Sequence, residues 1–140
     1  MSDERKGEKV VGVVLVSHSA RVAESVAELA KALSGAGSAV PVAPAGGTEG
    51  GGFGTSAERV AAAAASVDRG AGVAVLTDLG SAVLTVKALL AEGDELPPDT
   101  RLVDAPFVEG AVAAVVTAAT GADLAAVEAA ASEAYAYRKV

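Results

Sequence analysis

The stretch VVGVVLVSHSARVAESV, residues 10–26, decides the architecture of this chain. Its first half is a continuous run of branched apolar residues, which is typical of a parallel strand covered on both faces. We predict that strand over residues 9–16, followed by an amphipathic helix over residues 21–33, where apolar side chains recur at helical spacing. His18, the only histidine of the chain, lies between them. In parallel sheets, reacting groups commonly lie where a strand ends and a helix begins. His18 is therefore a candidate reacting residue.

The same alternation continues through the 140 residues. It predicts the remaining strands and helices in the following places: strands 39–43, 72–77 and 101–104, helices 56–68, 82–91, 111–119 and 122–137, and turns or loops 44–54, 78–81, 93–100 and 106–110. Short crossovers of this kind force parallel pairing with right-handed connections. The expected fold is a single doubly wound α/β domain, with a mainly parallel four-stranded sheet covered by helices on both faces. We expect residues 1–8 to be disordered.

Local signals mark several helix ends. Gly35 and Gly37 are expected to stop the first helix, since glycine favours helix termination. Thr55 to Glu58 has the form of a capping box that opens the next helix. Ser81 is a candidate N-cap for the helix after it.

Composition excludes several classes of protein. The net charge is −7 at pH 7, which disfavours nucleic acid and anionic membranes as partners. No cysteine and one histidine argue against a metal site or a disulfide framework, and no cofactor is expected. The charged N-terminus does not resemble a secretory signal, and no apolar run approaches the roughly 20 residues of a spanning helix. We therefore expect a cytoplasmic protein with no metal.

Three segments leave predicted strand ends and open helices: residues 17–19, 51–56 and 78–81. In a parallel sheet all three lie at one edge, so His18, the carboxylate of Asp78 and a glycine-rich loop are expected side by side. Phosphoryl transfer to an imidazole needs such a set. We expect Asp78 to hold Nδ1–H and leave Nε2 free to attack, while backbone N–H groups of residues 51–55 cover the phosphoryl oxygens.

Each part also has a simpler interpretation. Asp78 could merely cap a helix, and the glycines could form a flexible loop, because GGGFGTS is neither a Walker A motif nor GxGxxG. For Ser17, Ser19 and Ser81 the simpler interpretation, as helix caps, is preferred. For Arg21, too, the simpler interpretation, as a solvated helix residue, is preferred. The argument for phosphoryl transfer depends on the three turns lying together, and not on any one of them.

Three segments, VGVVLVSHSARVAE, GGTEGGGFGTSAERV and VLTDLGSAVLTVKALL, resemble the mannose-type enzyme IIA superfamily of the phosphoenolpyruvate-dependent phosphotransferase system. Within it, the chain is most similar to the phosphotransfer subunits of bacterial dihydroxyacetone kinases. The resemblance implies that His18 accepts a phosphoryl group and that Asp78 is its carboxylate partner. It also implies that four residues line the pocket: Gly54, Thr55, Gly80 and Ser81.

The resemblance further implies the partners. The phosphocarrier protein HPr would donate the phosphoryl group, and ADP bound on the nucleotide subunit of a dihydroxyacetone kinase would accept it. Some relatives append further phosphotransfer domains, so phosphate is expected to arrive here from a separate protein. The family's dimeric habit suggests a homodimer.

Two alternatives stay open. One is a sugar-transport enzyme IIA that passes phosphate to a IIB domain, although Asp78-Leu79-Gly80-Ser81 replaces the Asp-Trp-Gly-Gly-Ser turn of such domains and favours the kinase branch. The other is a non-catalytic regulatory module in which the glycine loop binds an anion and His18 is structural.

Overall fold

Four parallel strands form one sheet in the order β2-β1-β3-β4. The computed structural model describes residues 9–35 and 39–140. Along the chain the elements are β1 Gly12–Ser17, α1 Ala20–Leu33, β2 Val42–Gly46, α2 Ala57–Val67, β3 Val73–Thr77, α3 Gly80–Glu92, β4 Thr100–Leu102, α4 Phe107–Ala119 and α5 Leu124–Glu133, with a final 3₁₀ turn Ala134–Ala136. The predicted α/β fold with a parallel four-stranded sheet is confirmed.

The sheet is covered on both faces, as its nearly all-apolar central strands require. Val13 and Leu15 of β1 point to one side, where they pack in a core with α1, α4 and α5. Val14 and Val16 point to the other side and pack against α2 and α3. All four side chains are fully buried. The sheet is therefore packed between two cores.

Strand register brings three chain segments to one edge of the sheet. Ser17 at the end of β1 pairs with Gly46 at the end of β2, and Val16 pairs with Thr77 at the end of β3. The chain leaves all three strands at the same level. His18, the glycine-rich loop and Asp78 are consequently neighbours.

Strand β2 begins three residues later than predicted, at Val42 rather than residue 39. Pro44 lies inside it, opposite Leu15, instead of ending it. Proline removes one donor from the ladder, which is tolerated because β2 is an edge strand. Strand β4 also differs from the prediction, because it ends at Leu102 and not at residue 104.

Helix boundaries differ from the predictions in several places. The segment 106–110, predicted as a turn, is the first turn of α4, in which Gly110 N donates to Pro106 O over 2.7 Å. The cap of α2 is Ser56, one residue after the predicted Thr55. Helix α3 begins at Gly80 after Leu79, so Ser81 is not its cap. The last helix begins at Leu124 and ends at Glu133, inside the predicted 122–137.

Two predictions, disorder of residues 1–8 and the helix-stopping role of Gly37, fall outside the described residues. Within residues 9–35 and 39–140, no helix has the length and apolar character needed to cross a membrane.

Gly46 should be essential to the junction of β2 with α1. A Cβ at this position would lie 2.5 Å from Ser19 O and 2.7 Å from Ala20 Cα. Both are backbone atoms, which move only at a considerable cost in free energy. We expect Gly46→Ala to lower the free energy of unfolding by about 1–3 kcal/mol, the usual cost of overpacking. Urea denaturation measures it. The matched control is Gly80→Ala, because a Cβ there meets no atom within 4 Å. Equal stability of the two variants would contradict this account.

Candidate functional site

The site lies at the carboxyl edge of the sheet, where β1 and β3 end side by side. Asp78 directly follows β3, and its backbone N–H donates to Val16 O of β1 over 3.1 Å. This bond extends the β1–β3 ladder by one residue and places the Asp78 side chain against the junction of β1 with α1. The structure thus brings His18 and Asp78 together, although 60 positions separate them.

The Asp78 carboxylate has four donors. Its Oδ2 accepts from Ser17 Oγ at 2.8 Å and from His18 N at 3.0 Å. Its Oδ1 accepts from Leu79 N at 2.7 Å and lies 3.0 Å from His18 Nδ1. The side chain is only 17% exposed, so these bonds replace most of its contact with water. Both the ring and the backbone of His18 are therefore fixed on one carboxylate.

Burial of Asp78 favours its neutral form, but the hydrogen bonds from His18 N, Ser17, the His18 ring and Leu79 N together outweigh burial and lower the pKa below its ordinary value. The group is accordingly ionised at neutral pH. An ionised carboxylate can only accept hydrogen bonds, so Nδ1 must carry the proton. In a neutral ring Nε2 then holds a free electron pair.

The Nε2 atom of His18 meets Ser81 Oγ, which is in hydrogen-bond contact with it. Interpretation of Ser81 as a helix cap is wrong: α3 starts one residue earlier, and its cap residue Leu79 makes no side-chain cap bond. Ser81 instead lies in the first turn of α3, where backbone N–H groups have no partner within the helix. Ser19, by contrast, does cap its helix by accepting from Val22 N at 3.3 Å.

The glycine-rich loop reaches His18 through its backbone. Gly54 N donates to His18 O over 2.9 Å, and Gly54 has φ of +142°, a conformation that favours glycine. Upstream, Thr48 accepts from Gly52 N at 3.0 Å through its hydroxyl and from Gly51 N at 3.0 Å through its carbonyl. The loop is thus folded on itself and seated beside the histidine.

The start of α2 holds the other end of this loop. Ser56 Oγ donates to Glu49 Oε2 over 3.0 Å, and Arg59 Nε lies 3.9 Å from Glu49 Oε1. Thr55, predicted to line the pocket, pairs its hydroxyl with that of Thr85 on α3 at 2.7 Å. The Thr55–Thr85 pair joins the glycine loop to the helix that carries Ser81.

Sequence reasoning missed two of these residues. Ser17 was interpreted as a cap, yet it is fully buried, donates to Asp78 and accepts from Ser19 N at 3.1 Å. Its position as the last residue of a buried strand was the available signal. Thr85 was not singled out at all. It follows Ser81 by four residues, a spacing that puts both on one helix face.

A cavity of about 580 Å³ opens beside Asp78, between the start of α3 and the start of α4. Gly80, predicted to line the pocket, is part of its wall, and Lys87 contributes a cation. On the opposite side, Tyr135 donates to Asp104 Oδ1 over 2.9 Å. No group of three or more His, Asp or Glu side chains that could hold a metal ion occurs in the part of the chain that the structure describes.

The fold and this histidine–carboxylate junction match a known family. The family model EIIA-man, described as PTS system fructose IIA component, matches residues 12–128. The chain belongs to this family.

Several curated proteins are similar in sequence to this chain. The chain is 41% identical over 118 residues to the Escherichia coli PEP-dependent dihydroxyacetone kinase, phosphoryl donor subunit DhaM, which covers 82% of this chain and 25% of that protein. A Listeria innocua phosphoryl donor subunit DhaM is 35% identical over 108 residues, covering 76% of this chain and 85% of the relative. The chain thus spans about a quarter of the first relative and most of the second.

One solved structure extends the comparison to three dimensions. The crystal structure of EF1359, a protein of unknown function, superposes with a TM-score of 0.77 at 28% identity, covering 89% of this chain and 94% of that one. The architecture is therefore shared over nearly the full length of both chains.

The ionised Asp78 should make stability depend on pH. Its pKa is lower in the folded protein than the roughly 3.9 of an unfolded aspartate, so its contribution is present above pH 4 and is lost as pH falls through the folded value. At pH 7 we expect the free energy of unfolding of wild-type protein to be about 1–3 kcal/mol larger than that of Asp78→Asn, because the variant loses hydrogen bonds to a charged group. Urea unfolding from pH 7 to pH 2.5 should show this difference shrinking below pH 4. A difference that stays constant over that range would contradict the assignment.

Proposed function

We propose that this chain is a cytoplasmic phosphocarrier that takes a phosphoryl group from phospho-HPr onto His18 and passes it to ADP bound on a dihydroxyacetone kinase subunit. The names of the relatives support the kinase as acceptor. Membership of the EIIA-man family supports a phosphoryl donor from the phosphotransferase system. The kinase would then phosphorylate dihydroxyacetone.

The observation that carries the proposal is the orientation of the His18 ring. Its Nδ1–H is committed to an ionised carboxylate, while its Nε2 contacts, among the described residues, only the hydroxyl of Ser81, and 22% of the side chain is exposed. The Nε2 electron pair is therefore held by a neutral hydroxyl that can turn away. An incoming electrophile can take the place of that hydroxyl.

The first transfer is a displacement at phosphorus. The Nε2 electron pair attacks the phosphoryl group of the donor, an Nε2–P bond forms, and the bond that joins phosphorus to the donor breaks, leaving its electron pair on the donor. The proton on Nδ1 stays there, and the Asp78 carboxylate stabilises the positive charge that develops on the ring. We expect Ser81 Oγ and the first N–H groups of α3 to donate to the phosphoryl oxygens.

The second transfer reverses these roles. A β-phosphate oxygen of ADP attacks phosphorus, the Nε2–P bond breaks, and the electron pair returns to Nε2, which restores the neutral ring with its proton on Nδ1. The product is ATP on the kinase subunit. The charge of −7 disfavours recruitment of free nucleotide, so the cationic groups and Mg²⁺ that this step needs should come with the partner.

Phosphorylation should depend entirely on His18. With enzyme I, HPr and phosphoenolpyruvate, we expect wild-type protein to gain one acid-labile phosphate and His18→Asn to gain none, because the nucleophile is lost. Asp78→Asn should be labelled orders of magnitude more slowly, since residues that act as a unit lose most of their effect together. Phosphate incorporation followed by mass spectrometry measures both. Labelling of His18→Asn would refute the proposal, and wild-type protein that takes no phosphate would favour the anion-binding module.

The phosphorylated protein then separates the carrier from its alternatives. Presented with ADP and Mg²⁺ alone, it should keep its phosphate, and it should lose it once the ADP-loaded kinase subunit is added. Rapid discharge to free ADP would defeat the carrier model. The sugar-transport alternative would be established if the phosphate is transferred to a sugar-specific IIB domain and the kinase subunit has no effect on its loss.

We further propose that the chain forms a homodimer through an exposed apolar groove between α1 and α4. The groove has a volume of about 460 Å³ and lies between the second half of α1 and α4. Its apolar lining is formed by Leu29, Leu33, Val108, Val112, Ala113, Val116 and Tyr137. Exposed apolar surface of this kind is typical of association sites.

Leu33 is 59% exposed in this groove, and Leu33→Glu should weaken the dimer at least about tenfold because it places a charge in an apolar contact. Sedimentation at several concentrations measures the dissociation constant. Leu84→Glu, on a similarly exposed residue outside the groove, is the control and should leave it unchanged. A wild-type protein that is monomeric throughout would exclude the dimer.

A further inference from the structure

One polar side chain lies within the core of this protein. Among the polar and charged residues that the structure describes, only Ser17 is fully buried. A buried hydroxyl lowers stability unless its hydrogen-bonding capacity is used. We propose that Ser17 is a positioning residue for phosphoryl transfer to His18, because its hydroxyl fixes the rotation of the Asp78 carboxylate. This inference rests on the proposed function.

The direction of the Ser17 hydrogen bond follows from its neighbours. Ser17 Oγ accepts from Ser19 N at 3.1 Å, which uses a lone pair and leaves the single hydroxyl proton free. Asp78 Oδ2 lies 2.8 Å away and, as part of an ionised carboxylate, can only accept. The Ser17 proton therefore points at Oδ2.

The rotation of the Asp78 carboxylate is decided by its partners. The last torsion angle of an aspartate side chain has broad energy minima, so it does not by itself fix the positions of the two oxygens. Oδ2 accepts from Ser17 Oγ and His18 N, while Oδ1 faces Nδ1 of the His18 ring. Without the Ser17 hydroxyl, Oδ2 would keep only the bond from His18 N. Oδ1 would then be held less firmly against Nδ1.

Ser17 is itself held by the sheet. Its carbonyl accepts from Gly47 N at 3.2 Å on the side of β2, and Val16 O accepts from Asp78 N at 3.1 Å on the side of β3. The end of β1 is thus bonded to both neighbouring strands. A side chain on such a strand holds its partner more precisely than one on a loop.

The same hydroxyl also fixes the backbone that carries the imidazole. Ser19 is the N-cap residue of α1, and its N–H donates to Ser17 Oγ across His18. Ser17 therefore contacts both the residue that follows His18 and the carboxylate that faces its ring. It would act on the transfer through Asp78, by keeping Oδ1 in place to stabilise the positive charge that develops on the ring.

Ser17→Ala tests this role, because it removes the hydroxyl and adds no bulk. At saturating phospho-HPr, we expect phosphorylation of His18 to slow about tenfold, the effect of losing one hydrogen bond to a charged group. The concentration of phospho-HPr that half-saturates the rate should stay within about twofold of the wild-type value, since a fully buried side chain cannot contact the donor. Rapid-quench kinetics measure both quantities.

Nuclear magnetic resonance gives a second readout that needs no phosphoryl donor. His18 is the only histidine, so the ¹⁵N chemical shifts of imidazole nitrogens report this site alone. At neutral pH wild-type protein should carry the ring proton on Nδ1, and Ser17→Ala should show a measurable population with the proton on Nε2. Ser17→Thr keeps a hydroxyl and should restore the wild-type tautomer and rate.

Val13→Ala is the matched control for a loss of stability. Val13 is fully buried and lies four residues before Ser17, on the same face of β1. Its truncation should lower the midpoint of urea unfolding but leave the tautomer and both kinetic quantities unchanged.

Wild-type kinetics and a wild-type tautomer in Ser17→Ala would overturn the positioning role. An equal slowing in Val13→Ala would also overturn it, because the effect would then follow from stability alone. Wild-type protein that takes no phosphate would instead refute the proposed function, and the tautomer comparison would still decide whether Ser17 positions the ring.

Discussion

The Asp78 carboxylate is the constraint around which the site is arranged. A carboxylate withdrawn from water must be compensated by donors, and this one obtains four from Ser17, His18 and Leu79. Ser17 and Asp78 are 61 positions apart, so the bond between them exists only if β1 and β3 pair in the observed register. A slip of one residue would turn Ser17 to the opposite face and remove one of the four donors of the carboxylate. The same pairing that builds the sheet therefore orients the imidazole.

Much of the site followed from the order of elements alone. In a parallel sheet, residues that come directly after strands share one edge, so His18 and Asp78 could be placed together without any knowledge of distances. The strength of the apolar run in β1 made its identity as a central strand secure. Gly54 donates its N–H to the His18 carbonyl and Gly80 lies in the wall of the cavity beside Asp78, while their role in holding a phosphoryl group stays a prediction.

The parts that sequence reasoning missed depend on tertiary contacts. Pro44 reads as a strand breaker in any local analysis, but it is acceptable in β2 because that strand lies at the edge of the sheet. Ser81 has good capping chemistry, yet its hydroxyl meets His18 Nε2, a partner from the segment that follows β1. The local preference for serine is the same at a helix cap and at a position that contacts a histidine. Only the pairing of β1 with β3 distinguishes them.

The Ser81 contact has a consequence under the proposed function. In this structure the Ser81 hydroxyl contacts Nε2, the atom that would hold phosphorus, so loading would release that hydroxyl. A released hydroxyl beside a new anionic group would find an acceptor on a phosphoryl oxygen, and a hydrogen bond to a charged group is the stronger kind. The same side chain would therefore contact the ring before loading and the phosphoryl group after it.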